Sequence, residues 1–88
     1  MQIVRFTALW CTSCLLMKSR WKEFFKDYPN IDIIDVDFDD SPDLVEKYQI
    51  GTTLPVMIVY NENQIEMKRI VGEKSVKELK RLFQEVIQ

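Results

Sequence analysis

The chain has 88 residues, 47% of them hydrophobic, and a formal net charge of −2. This length supports one modest core, so we treat residues 1–88 as a single domain. The balanced, mixed charge excludes the basic surface typical of nucleic-acid-binding proteins. No stretch approaches the roughly 20 apolar residues of a membrane span, and no signal-peptide pattern is visible, so we expect no membrane association and a reducing, cytoplasmic location.

The first half of the chain predicts a strand, a long helix, a second strand and a short helix. Residues 3–8 are apolar and partly β-branched, as in a buried strand. Beyond Cys11, apolar residues recur every three or four positions, which predicts a helix that ends before Pro29. Residues 31–38 alternate as a second strand does, and a short helix begins at Pro42.

The second half predicts two strands and a final helix. Residues 56–60 form a continuous apolar strand, and residues 64–71 return as an alternating strand that Gly72 ends. Ser75 and Glu78 have the spacing of a capping box that opens the last helix. The order β-α-β-α-β-β-α predicts an α/β fold, with a four-stranded mixed sheet flanked by helices.

Both cysteines lie in the motif Trp10-Cys11-Thr12-Ser13-Cys14. A disulfide between them would close a very short loop and stabilise the fold little, so a reversible dithiol explains the pair better. Cys11 would lie at the helix N-terminus, where backbone N–H groups favour a thiolate, and Cys14 would be shielded in the first turn. We therefore predict that Cys11 attacks and Cys14 resolves. A buried, inert thiol pair is the alternative.

The sequence gives little support for other kinds of catalytic or metal-binding site. The chain has no histidine, which excludes Cys-His and Ser-His nucleophile pairs. Two cysteines cannot complete a zinc site alone, so we predict no metal and no bound cofactor; a metal or cluster bridging two chains is the alternative. Acidic residues from Asp35 to Glu46 partly match a calcium loop, but Asp40 replaces its glycine, and a strand with outward acids explains the pattern.

The chain resembles the thioredoxin family, in a compact, glutaredoxin-sized form. The cysteine motif stands between a strand and a helix as that family's W-C-x-x-C does, Leu54-Pro55 precedes the third strand where the family has its cis-proline, and Gly72 precedes the last helix. The resemblance implies a monomeric thiol-disulfide oxidoreductase that acts on protein disulfides and receives electrons from a reductase protein or a small thiol. The residues that it implies for substrate binding are Trp10, Thr12, Ser13, Leu54, Pro55 and Gly72.

The sequence also departs from that family. Where thioredoxins usually have a buried acid, six positions before the first cysteine, this chain has Arg5, and a spacing alignment puts Asp35 where the family has a lysine. We expect an acid–base pair with exchanged signs, and hypothesise that Arg5 lowers a cysteine pKa instead of accepting a proton. Thr12-Ser13 also replaces the familiar Gly-Pro. These departures favour, as the alternative function, a non-catalytic binding or redox-sensing adaptor domain.

Overall fold

The strands and helices follow one another in the predicted order. The computed structural model describes residues 1–87. Its elements are β1 (Gln2–Thr7), α1 (Thr12–Phe25), β2 (Asp32–Asp37), α2 (Pro42–Lys47), β3 (Val56–Tyr60), β4 (Glu66–Val71) and α3 (Val76–Ile87). The strands form a mixed sheet in the order β2-β1-β3-β4, in which β1 is parallel to β2 and antiparallel to β3, and β3 is antiparallel to β4. The predicted α/β fold is confirmed.

Successive strand residues point to opposite faces, so the sheet carries an apolar cluster on each face. Helices pack against both clusters. On one face, α1 and α3 pack against the strands through a cluster that includes Met17, Trp21, Phe24, Leu79 and Phe83. On the other face, α2 contributes Leu44 and Val45 to a second cluster that also contains both cysteines. The first turn of α1 therefore belongs to a different apolar cluster from the rest of that helix. No helix within residues 1–87 is long and apolar enough to cross a membrane.

The strand ends of β1 and β2 differ from the expected ranges by one residue, and two other boundaries differ by more. α1 ends at Phe25, earlier than the expected end just before Pro29. The Tyr28 N–H bonds to the Phe25 carbonyl, three residues back, at 2.9 Å, and this tighter turn ends the α-helix. The start of β4 at Glu66 comes later than residue 64. There the Asn61 side chain accepts the Ile65 N–H, and Gln64 adopts a φ of 64°, so the turn extends further than the sequence pattern predicts.

Candidate active site

The two cysteines lie where β1 leads into α1. Cys11 is the N-cap of α1: its backbone is extended, with φ −90° and ψ 110°, and its Sγ accepts the Cys14 N–H at 3.2 Å. Both are free thiols, with Cys11 7% and Cys14 1% exposed. Unpaired N–H groups at a helix start stabilise negative charge on the side chain that accepts from them. The structure therefore places Cys11 and Cys14 as the sequence predicts, with Cys14 the more deeply enclosed.

The Cys14 thiol lies in a setting that disfavours its ionised form. Burial raises the pKa of Cys14 to about 11, and its hydrogen bond and charge interaction with Cys11 act in the same direction. A hydrogen bond with the Ala8 backbone and the positive charge of Lys18 lower the same pKa. The net result is that Cys14 stays protonated near neutral pH, so any step that needs its thiolate must overcome this burial.

The loop that leads into β3 adjoins the cysteines. The Leu54–Pro55 peptide bond is cis, as the resemblance implied. Leu54 belongs to the same apolar cluster as both cysteines, and Pro55 is fully buried. The Pro55 carbonyl accepts the Gly72 N–H at 2.8 Å. Gly72 has a φ of 86°, a left-handed conformation that suits glycine, so it keeps the turn after β4 against the cis-proline loop.

Trp10 lies on the surface beside the motif and is 61% exposed, so it is not a core residue. Its indole Nε1–H donates to Asp39 Oδ2 at 2.7 Å, and its ring meets Phe38 edge to face at 6.2 Å between centroids. Thr12 is exposed and Ser13 half-buried. The indole is thus held at a fixed place, with much of its apolar surface open to a partner.

Arg5 and Asp35 form the ion pair that the alignment suggested. The guanidinium donates to both carboxylate oxygens, Nε to Oδ1 at 2.7 Å and Nη2 to Oδ2 at 2.8 Å. It also lies 4.6 Å from the centre of the Trp21 ring. The influences on the Cys14 pKa named above do not include Arg5. The hypothesis that Arg5 tunes a cysteine therefore stays a prediction.

A cavity of about 300 Å³ lies beside this ion pair, lined by Arg5, Thr7, Lys18, Trp21 and Asp35. Sequence reasoning missed Lys18. The available signal was its position four residues after Cys14, which places the two side chains on neighbouring turns of one helix face. Lys18 lines this cavity, and its positive charge also acts on the Cys14 thiol.

The part of the chain that the structure describes contains no metal-binding cluster. Among residues 1–87, no three or more histidine, cysteine, aspartate or glutamate side chains are grouped so that they could hold a metal ion. In the acidic segment, Asp37 Oδ1 instead accepts the N–H groups of Asp39 and Asp40 at 2.9 and 3.1 Å. This carboxylate stabilises the turn after β2.

A Cys-x-x-Cys motif at a helix N-terminus, packed with a cis-proline loop on this sheet topology, defines the class of thioredoxin-fold dithiol proteins. Residues 1–85 match the Thioredoxin family pattern. The chain belongs to the thioredoxin family.

Named relatives support the same assignment. The chain is 34% identical over 70 residues to a thioredoxin of Oryza sativa subsp. japonica, covering 80% of this chain and 50% of that protein. It is 32% identical over 72 residues to thioredoxin of Staphylococcus aureus, covering 81% and 67%. The crystal structure of the reduced Schistosoma mansoni thioredoxin pre-protein superposes with a TM-score of 0.82 at 26% identity, covering 98% and 78%. The chain thus spans about half the length of the rice relative.

Proposed function

We propose that this domain is a thiol-disulfide oxidoreductase that exchanges its Cys11–Cys14 dithiol with protein disulfides. The observation that carries the proposal is the N-cap position of Cys11, whose sulfur accepts the Cys14 N–H while the Cys14 thiol is buried behind it. This arrangement separates an attacking sulfur at a helix N-terminus from a protonated resolving sulfur. Membership of the thioredoxin family supports the same chemistry.

The cycle has two exchange steps. Cys11 thiolate attacks one sulfur of the substrate disulfide, and the other substrate sulfur leaves as a thiolate that takes a proton from water. Cys14 then loses its proton and attacks Cys11 Sγ, which breaks the mixed disulfide and releases the second substrate thiol. Two electrons have passed from the protein to the substrate, and Cys11 and Cys14 are joined. A reductase protein or a small thiol would return the electrons.

Substrate contacts would lie around the motif. Trp10 presents an exposed ring, and Thr12 and Ser13 lie beside it at the start of α1. The Leu54–Pro55 segment, held by Gly72, could pair with an extended substrate backbone as an added strand does. We propose protein disulfides as the substrates, a monomer as the active form and the cytoplasm as its location.

A non-catalytic adaptor is the second candidate function. The observation that favours it is the Arg5–Asp35 ion pair, which occupies the place of the usual acid of the family. A domain that only docked or sensed redox state would need the dithiol but no rapid turnover.

Insulin reduction by dithiothreitol separates the two candidates. We expect the wild-type domain to accelerate insulin precipitation above the dithiothreitol background, Cys11→Ser to abolish the acceleration, and Ser19→Ala to behave as wild type. Ser19 is an exposed serine on the same helix, so it is a matched control. A wild-type rate equal to background would overturn the enzymatic proposal and favour the adaptor.

A further inference from the structure

The resolving step meets an electrostatic difficulty in this chain. Cys14 must become a thiolate to attack Cys11, yet it is 1% exposed and lies in an apolar cluster. The neighbouring cavity offers no good proton acceptor. The Arg5 guanidinium has N–H donors and no acceptor, and both oxygens of Asp35 accept hydrogen bonds from it.

Lys18 is the uncompensated charge beside this thiol. The charges of Arg5 and Asp35 largely cancel, because they are paired through two hydrogen bonds. Lys18 lines the same cavity from α1 and forms no salt bridge within residues 1–87. It is exposed and follows Cys14 by four residues, so the two side chains project from the same face of α1.

We propose that Lys18 is a positioning residue for the resolving step, whose ammonium group stabilises the Cys14 thiolate during its attack on Cys11. The proposal rests on the proposed oxidoreductase function. Lys18 takes no proton in this step, and the proton that Cys14 loses goes to water. The new Cys11–Cys14 bond and the departing substrate thiolate are those of the ordinary exchange step.

Several other titratable or charged groups lie on the segments around Cys14. The titratable or charged residues on the segments around it include Cys11, Lys18, Arg5, Asp35, Asp37, Asp39, Tyr48 and Tyr60, together with Asp43, Glu46 and Lys47 of α2. Among these residues, charge interactions with Cys14 come from Cys11, which raises its pKa, and from Lys18, which lowers it. Lys18 is therefore the side chain whose removal should hinder ionisation of Cys14.

Stopped-flow reaction with dipyridyl disulfide resolves the two steps. This reagent is uncharged, so Lys18 does not attract it. Its first thiopyridone reports attack by Cys11, and the second reports attack by Cys14 on the mixed disulfide. The variants are Lys18→Met, Lys18→Arg and, as matched control, Lys22→Met, an exposed lysine one turn further along α1.

In Lys18→Met we expect the first phase to be unchanged and the pH profile of the second phase to move upward by about half a pKa unit, the size for an exposed, solvent-screened charge. At neutral pH the second phase should be about twofold slower, because the thiolate is scarcer but each thiolate is more nucleophilic. Lys18→Arg should restore the profile, Lys22→Met should match wild type, and high salt should reduce the difference.

The possible results distinguish a failure of the Lys18 proposal from a failure of the proposed oxidoreductase function. A wild-type protein without a second phase would remove the resolving role of Cys14 and with it the proposed function. A normal second phase with the same pH profile in Lys18→Met and Lys22→Met would overturn the role of Lys18 and leave the function standing. An unchanged first phase shows that the Lys18→Met variant is folded, because Cys11 needs the intact start of α1.

Discussion

Arg5 and Asp35 are register partners in the parallel strands β1 and β2, and the guanidinium donates hydrogen bonds to both carboxylate oxygens at 2.7 and 2.8 Å. The Arg5 side chain is 16% exposed and lies over Trp21, whereas Asp35 is 59% exposed. Removal of Asp35 would leave a largely buried cation without its counter-ion. We predict that Asp35→Ala lowers the free energy of unfolding by about 1–2 kcal/mol, measured by urea denaturation.

A double-mutant cycle tests whether this loss belongs to the pair. Arg5→Met keeps the apolar length over Trp21, so the cycle of Arg5→Met, Asp35→Ala and the double variant isolates the charge interaction. We expect the double variant to be more stable than the sum of the single losses predicts. Strictly additive losses would show that the ion pair contributes nothing of its own.

The same pair allows a test of the hypothesis that Arg5 tunes a cysteine. Asp35 neutralises Arg5 in the structure, so Asp35→Asn should unmask the positive charge. We predict that Asp35→Asn lowers the pKa of Cys14 by a few tenths of a unit. The measurement is the thiolate absorbance as a function of pH, in a Cys11→Ser background. Arg5→Met added to Asp35→Asn should reverse the change. If the Cys14 pKa is the same in all these variants, an electrostatic role for Arg5 is ruled out.

The sequence supports the fold and the cysteine positions because these depend on local patterns. Hydrophobic spacing locates β3 at residues 56–60, and the capping box locates the start of α3. The cavity that Lys18 lines and the Trp10–Asp39 hydrogen bond depend instead on contacts between elements, which composition and periodicity do not encode. The extended turn before β4 is also missed, because the Asn61 side chain captures N–H groups that a strand pattern would assign to the sheet.

The capping box at the start of α3 should have a measurable effect on stability. Ser75 Oγ accepts the Glu78 N–H at 3.1 Å, and Glu78 Oε1 accepts the Ser75 N–H at 3.2 Å. Ser75→Ala removes the first bond, and we predict that it lowers the free energy of unfolding by about 1 kcal/mol in urea denaturation. Lys77→Ala, an exposed change in the same turn, should leave stability nearly unchanged; equal effects would contradict the capping role.

The hydrogen bond between Trp10 and Asp39 should hold the exposed indole in place. We predict that Asp39→Ala makes the Trp10 indole N–H exchange faster with solvent, because the 2.7 Å bond is lost, while Asp39→Asn preserves an acceptor and most of the protection. The measurement is amide and indole hydrogen exchange by NMR, with the buried Trp21 indole as the internal reference. Equal exchange in the three proteins would show that Asp39 does not restrain Trp10.

The protonation of Cys14 should couple to stability at alkaline pH. Its folded-state pKa of about 11 lies above the value of about 9 expected for an exposed thiol, so the folded protein holds this proton more tightly than the unfolded chain. The stabilisation is complete below the unfolded pKa and is lost as pH rises through the folded pKa. We predict that the reduced wild type loses up to about 2 kcal/mol more unfolding free energy than Cys14→Ala over this window. Because tyrosines and lysines titrate in both proteins, the difference between them isolates Cys14, and parallel pH profiles in urea denaturation would mean that burial does not raise its pKa.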